Sequence, residues 1–443
     1  MAQTQAELPH IDRFDCDVLI IGGGGPGGST AAALLAQDGR GVVLLDKDAH
    51  PRFHIGESLL PANLPLFEHL GVAEQVRAIG MEKWAAEFVS PWHDHMQHFR
   101  FGDAWDKSMP YAYQVRRSDF DRLLIDNAAA KGAQVHQRCK VHQVEFARDE
   151  SGARVTARHD DGREQSWCAR YVIDASGRET FLANRFQIKH KNPQHNSLAV
   201  YAHFANARRN EGQAEGNISL FWFEHGWFWF IPLVDGATSV GMVTWPYFMK
   251  TRGERSLHQF LMDGIALCPP LLERIKDSPC THPAEATGNF SYLSERNHGP
   301  NYLMIGDAFA FIDPVFSSGV MLAMQGGFSA RDCLNVCLDQ PARKASAMAE
   351  FDRISRLGPK HFSWFIYRMT NPILRDMFMG PRNVMRVREA LLSLLAGDIY
   401  GQTPIWRALR VFKLIYYGMS ITQARTAWRA WRRRQVNIRA VDA

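Results

Sequence analysis

Several stretches of this chain carry residue types that could handle anions or activate a small electrophile. After the apolar run at residues 17–21 (DVLII) comes GGGGPGGST, followed by the Ala/Leu-rich AAALLAQDG. Glycines in that place allow a tight turn and let backbone N–H groups approach a pyrophosphate at the positive end of the next helix. Four consecutive glycines allow two registers, Gly22-Gly24-Gly27 or Gly23-Gly25-Gly28. The second puts Pro26 and the following Gly-Gly-Ser in the usual places and is preferred, with Gly22 as an extra residue. A second apolar run, 41–45, ends in Asp46, an acid placed to accept hydrogen bonds from ribose hydroxyls. Residues 311–319 (FIDPVFSSG) lead into a helix expected near Val320, so the amides of Ser318 and Gly319 would form an anion site. Lys83 lies beside Trp84, Ala85 and Ala86, a setting that would desolvate its ammonium.

These residues need elements to hold them. Strand, glycine turn, helix, strand and acid in that order make a dinucleotide-binding unit. Residues 171–177 (YVIDASG) read as a strand ending in D-x-x-G with Arg178 next, and 301–307 (NYLMIGD) as an apolar strand closed by Gly-Asp. Residues 226–233 (GWFWFIPL) alternate aromatics like a buried strand. The chain has 443 residues and a net charge of +5, but from Gly401 onward nine Lys or Arg face only one acid, Asp442. The basic character belongs to the tail, so a nucleic-acid-binding body is not expected. The seven cysteines are scattered without a C-x-x-C pair and read as reduced cytosolic thiols. Glu7 and Asp12 arrive early with no basic segment, so no secretory signal is expected. Residues 18–37 carry no charge but contain six glycines and a proline, which argues against a membrane span.

Taken together these segments resemble the glutathione-reductase-type FAD monooxygenases, and among them the flavin-dependent halogenases. The resemblance implies an α/β fold: an FAD-binding Rossmann domain, an antiparallel-sheet substrate domain and a helical C-terminal appendage. The core would occupy 1–370, with nucleotide-binding segments near 15–80, 115–180 and 295–340 and substrate-sheet segments near 81–114 and 190–290. Residues 371–443 would form the helical basic region. Asp174, Gly177 and Asp307 match the second and third flavin motifs. Arg117, in the helix expected over 115–133, matches the family's cofactor-side arginine. In residues 51–61 (PRFHIGESLLP), a Gly-Glu-Ser turn entering a helix resembles the segment beside the isoalloxazine, through Glu57 and Ser58. Read without the family, these two would be helix-capping residues. Trp227, Trp229, Ile231 and Pro232 match W-x-W-x-I-P, whose tryptophans crowd the flavin and keep an organic substrate from it. Residues 311–319 match F-x-x-P-x-x-S-x-G, which puts Pro314 and Gly319 beside the cofactor and makes Ser318 and Gly319 the halide site.

Lys83 stands five residues before Phe88, as the catalytic lysine does in members acting on phenols and pyrroles. There it would hold and polarise hypohalous acid. Phe316 occupies the position at which tryptophan halogenases carry a catalytic Glu, so a phenol or pyrrole is implied instead. The implied cofactor is FAD, reduced by a separate flavin reductase because no second nucleotide fingerprint is present, with a halide ion as co-substrate. The same fold also holds FAD hydroxylases and geranylgeranyl-reductase-like oxidoreductases, and a non-catalytic partner role in a biosynthetic complex is a further alternative. In the tail, Ile405, Leu409, Phe412 and Tyr416 make an apolar stripe, while Arg425, Arg429 and Arg432 share a face. The plain reading is that these helices pack on the catalytic body of a cytoplasmic protein and expose a basic face; the alternatives are docking to an acidic acyl-carrier protein or to an anionic membrane surface. His93, His95 and His98 have metal-like spacing but no ligand set around them, and no metal site is expected.

Overall fold

The computed structural model describes residues 8, 10–288 and 291–439; Glu7 and Asp442, used above, lie outside them. Strand Cys16–Ile21 pairs parallel with Val42–Leu45 on one side and Glu164–Asp174 on the other. Gln134–His136 and Tyr302–Met304 extend this sheet in parallel on its two sides, and the short antiparallel strand His298–Gly299 borders Tyr302–Met304. A parallel sheet is covered on both faces, which is why these short runs are apolar without alternation. An antiparallel hairpin, Cys139–Phe146 with Ala153–His159, extends from the long strand Glu164–Asp174. Helix Pro26–Gln37 crosses over the sheet and packs on the 21-residue helix Gly319–Asp339. A Cβ on Gly327 would meet the Gly27 carbonyl oxygen at 2.9 Å, so glycine at this crossing sets how closely the helices approach.

The second sheet has seven strands in the order Cys280–Gly288, Leu198–Ala205, Ala237–Thr244, Gly226–Pro232, Ile218–Phe223, Ala85–Val89 and Met96–Arg100. All its pairs are antiparallel except Ile218–Phe223 with Ala85–Val89. Successive side chains of Gly226–Pro232 point to opposite faces, as a strand requires. Trp227, Trp229 and Ile231 join one apolar cluster, and Phe228 and Phe230 join another against helix Leu257–Ala266. The Trp229 ring lies over Gly241, where any Cβ would sit 2.1 Å from the indole.

Helices Pro372–Met379, Val387–Leu395, Ile405–Thr422 and Ala424–Arg439 follow. Ile405, Leu409, Phe412 and Tyr416 are buried in the cluster that holds Trp222 and Trp227, and Trp222 Nε1 donates to the Met369 carbonyl at 3.0 Å. The tail stripe therefore packs on the face of the sheet that carries Trp227 and Trp229. Among the described residues no helix is long and apolar enough to cross a membrane. Among them, too, no group of three His, Cys, Asp or Glu could hold a metal.

Candidate active site

The ends of the parallel strands, the glycine turn and one face of the second sheet enclose a cavity of about 430 Å³. Gly25 caps helix Pro26–Gln37 in extended backbone, and a Cβ there would meet nothing within 4 Å, so the helix start opens into the cavity. Gly23 and Gly28 sit behind the wall. A Cβ on Gly23 would strike the Leu44 side chain at 1.9 Å, and one on Gly28 the Gly22 carbonyl oxygen at 2.4 Å. Gly22, at φ +88°, supplies the left-handed turn in which glycine is favoured. Of Gly23, Gly25 and Gly28, one therefore faces the cavity and two permit close packing; Gly27, of the other register, lines the cavity as well.

Asp46 is buried at the end of Val42–Leu45, outside the cavity wall, and accepts from the Gly24 amide and, at 2.8 Å, from that of Asp48. Asp174 is likewise behind the wall, accepting from Ser176 N at 2.9 Å and Leu182 N at 2.7 Å. Gly177 lines the cavity beside Arg178, which reaches across to Thr287 and, at 2.8 Å, the Gly288 carbonyl of the second sheet. Asp307 also lines it, and no hydrogen bond from the described residues reaches its carboxyl. Burial pushes that carboxyl up to about 6, with Arg178 and Arg117 opposing.

Helix Arg117–Ala130 begins with Arg117 held to Asp121 at 2.9 and 3.0 Å, while Nη1 donates to the carbonyls of Ile55 and Gly56 at 3.2 and 3.3 Å. Gly56 sits at φ +108°, a backbone conformation that residues with side chains rarely adopt, and a Cβ there would lie 3.0 Å from that guanidinium. The Gly-Glu-Ser turn does not enter a helix, contrary to the sequence expectation. Ser58 instead makes an isolated bridge with Gln114, and the first helical turn starts only at Pro61. Glu57 and Ser58 are therefore not caps. Glu57 Oε1 lies 2.6 Å from His203 Nε2, both buried, and Ser58 Oγ accepts from Lys83 Nζ at 3.0 Å.

Lys83 ends strand Gly80–Lys83 and is itself outside the cavity lining. Its ammonium also donates to the Leu59 carbonyl and lies 5.3 Å from the Phe101 ring centre. Burial lowers its pKa to about 7. Through Ser58, which does line the cavity, Lys83 is one hydrogen bond from the interior.

Trp227, Trp229 and Ile231 form part of the cavity wall; Pro232 does not reach it. Pro314, Ser317, Ser318 and Gly319 line the cavity too. Ser317 has φ +55°, a left-handed position rarely taken by a residue with a side chain, followed by right-handed Ser318. The Ser317 amide donates to the Pro314 carbonyl at 2.9 Å, so the amides left for an anion at this helix start are those of Ser318 and Gly319.

The sequence reading missed three contributors. Tyr400, from the tail, lines the cavity, and burial raises its phenol above the usual range. His203 backs Glu57. His195 Nε2 lies 2.6 Å from Asp313 Oδ2, which also accepts from Ser197 Oγ at 2.8 Å; all three are buried. Asp313 Oδ1 accepts from Val315 N at 3.0 Å and so braces the turn that carries Ser317. Alanine at His195 leaves Asp313 short of a buried partner and is expected to cost about 1–3 kcal/mol of unfolding free energy. Urea denaturation reads this, and an unchanged midpoint would show that water replaces the imidazole.

A glycine turn opening from a parallel sheet, an unpartnered carboxyl at a strand end and an antiparallel lid together define an FAD-binding enzyme of the monooxygenase type. The FAD binding domain family matches residues 15–346, well over half of the chain. The chain is similar to the 1H-pyrrole-2-carbonyl peptidyl-carrier-protein chlorinase of Pseudomonas fluorescens, 29% identical over 87% of this chain and 90% of that one. The myxobacterial chondrochloren halogenase CndH, an FAD-dependent halogenase, is 30% identical, with a TM-score of 0.75 over 89% of this chain and 92% of that one. A flavoprotein/dehydrogenase from Cytophaga hutchinsonii is 26% identical with a TM-score of 0.83, covering 92% and 99%. The chain belongs to the flavin-dependent halogenases. Against several longer curated relatives it spans 60 to 66% of their length.

Proposed function

We propose that this chain uses reduced FAD, O2 and chloride or bromide to halogenate an electron-rich phenolic or pyrrolic ring. The observation that carries the reading is one cavity bounded by the helix-start amides of Ser318 and Gly319, by Trp227 and Trp229, and by the Ser58 hydroxyl that Lys83 donates to. FAD fits the unpartnered Asp307 carboxyl, the open helix start at Gly25 and the Arg117 and Gly177 wall, and when bound would supply the electrons that turn O2 into an oxidant for halide.

The chain's own residues then divide the remaining tasks. Ser318 and Gly319 amides hold the halide, whose charge matches a helix N-terminus. Trp227 and Trp229 occupy space that an aromatic substrate would need to approach the flavin, which disfavours direct hydroxylation. Hypohalous acid reaches the Ser58 hydroxyl, through which Lys83 polarises it by hydrogen bonding; the ring takes the halogen from oxygen, and the released hydroxide leaves as water with the ring proton. Phe316, buried against Phe362 and Phe365, offers no carboxylate of the kind that a tryptophan halogenase carries there. A carrier-tethered ring is favoured by the similarity to the pyrrolyl-carrier chlorinase. A separate flavin reductase is needed because the chain has no second nucleotide fingerprint.

The test is mass spectrometry of a phenol and pyrrole panel, free and carrier-tethered, with a flavin reductase, FAD, NADH, O2 and bromide. A monobrominated product supports the proposal; hydroxylated product indifferent to bromide would replace it with a hydroxylase. A Cβ on Gly319 meets no protein atom, so Gly319→Ala is expected to fold normally, and its FAD content is measured beside its kinetics. It should raise the bromide KM by roughly tenfold, about 1.4 kcal/mol, by crowding the halide amides. An unchanged bromide KM would move the halide elsewhere.

A further inference from the structure

Seven of the thirteen exposed large hydrophobic side chains among the described residues lie between Leu414 and Val436, on two consecutive helices. Leu414 is 69% exposed, Ile421 77%, Trp428 56% and Trp431 59%. Single exposed apolar residues are ordinary, but this density on one helical pair marks a docking surface. Helix Ala424–Arg439 has distinct inner and outer sides. Arg434 turns inward, donating to the Gln194 carbonyl at 2.7 Å and lying over the Tyr367 ring, and Asn437 is buried. Arg425, Arg429 and Arg432 are exposed, and none has a carboxylate partner among the described residues. Residues 401–439 contain no Asp or Glu at all.

We infer that these two helices seat the enzyme on an anionic lipid surface. Arginines with no acid to neutralise them suit an anionic surface. Long aliphatic side chains and two tryptophans that stand out from the helices suit an interface into which they can sink without a complementary cavity. A protein partner would need hydrophobic sockets for Leu414, Ile421, Trp428 and Trp431, whereas a bilayer needs none. Neither helix can cross the membrane, so the attachment is in the plane of the headgroups. Sinking the apolar side chains while the guanidiniums stay among lipid phosphates is the arrangement long basic side chains permit. This attachment is independent of the halogenation chemistry.

The test is flotation of the full-length FAD-loaded protein with vesicles of phosphatidylcholine alone or mixed with phosphatidylglycerol. The protein is expected to float with the mixed vesicles and to stay below with phosphatidylcholine alone, and the association should weaken with salt. Replacing Arg425, Arg429 and Arg432 together by Gln should lower partitioning roughly a hundredfold. The pair Trp428→Ala and Trp431→Ala should also lower it, with FAD content and melting temperature unchanged in both variants because the side chains are exposed. Failure to float with anionic vesicles would overturn the inference. So would binding of an acidic carrier protein, or self-association seen by light scattering, that these substitutions abolish while vesicle binding persists.

Discussion

Methionine at Lys83 is expected to remove halogenated product while leaving FAD bound and raising the melting temperature. The loss of product should be roughly 10²–10⁴-fold, the contribution typical of a positioned proton donor. Methionine is chosen because it fills similar volume without a charge, so the packing around Phe101 is kept. The gain in stability follows from burial: an ammonium with no aqueous shell is disfavoured, which is why Lys83 titrates near 7 in the folded chain. Ser58, the Leu59 carbonyl and the Phe101 ring favour the charged form and return part of that cost. The net penalty at neutral pH is on the order of 3 kcal/mol, less than the full shift would imply.

The sign of the pH dependence follows from proton counts. Between about 7 and 10.5 the unfolded chain carries the lysine proton and the folded chain does not, so wild-type stability rises with pH across that window. The Lys83→Met protein lacks this slope, and its advantage should shrink as pH rises toward 10.5. Melting curves of the FAD-loaded proteins at stepped pH, with bromination assays beside them, measure both effects. Retained bromination would remove Lys83 from the reaction. A lower melting temperature at neutral pH would show that its hydrogen bonds outweigh desolvation.

Alanine at Gly28 is the second substitution with a large expected effect. Its Cβ would stand 2.4 Å from the Gly22 carbonyl oxygen and 3.2 Å from the Ala175 Cβ, with no flexible side chain to give way. Helix Pro26–Gln37 must then move off strand Cys16–Ile21, carrying the Gly25 amide away from the cavity. The protein should be recovered without flavin, with FAD affinity reduced at least about a hundredfold, a cost near 3 kcal/mol. Alanine at Gly25 makes a useful contrast. It meets nothing in the protein, so the fold should stand while cofactor binding weakens through contact with the ligand alone. Fluorescence titration of FAD with parallel melting curves separates the two. Normal flavin content in Gly28→Ala would show that the turn can shift without consequence.

What the sequence determined by itself was local and periodic. The apolar strands, the glycine turn between them and the strand-end acids are readable because each uses residues adjacent in the chain. The aromatic alternation in Gly226–Pro232 is readable because side chains on a strand change face at every residue. The same rule explains why Trp227, Trp229 and Ile231 line the cavity while Phe228 and Phe230 pack on the far side. The misjudged segment, the Gly-Glu-Ser turn, offered good capping residues, but pairing of Ser58 with Gln114 held it extended. A contact with a distant strand outweighed local preference.

Only the tertiary structure decided the rest. Glu57 meets His203, Asp313 meets His195, and Tyr400 arrives from the tail to join a cavity built by residues far earlier in the chain. Such contacts leave no periodic trace, because either partner alone reads as an ordinary polar residue. Lys83 is the sharpest case. Its position suggested a role, but its full burial and its hydrogen bond to Ser58 arise from where separate segments pack together. Desolvation is a property of that packing and not of the neighbouring letters.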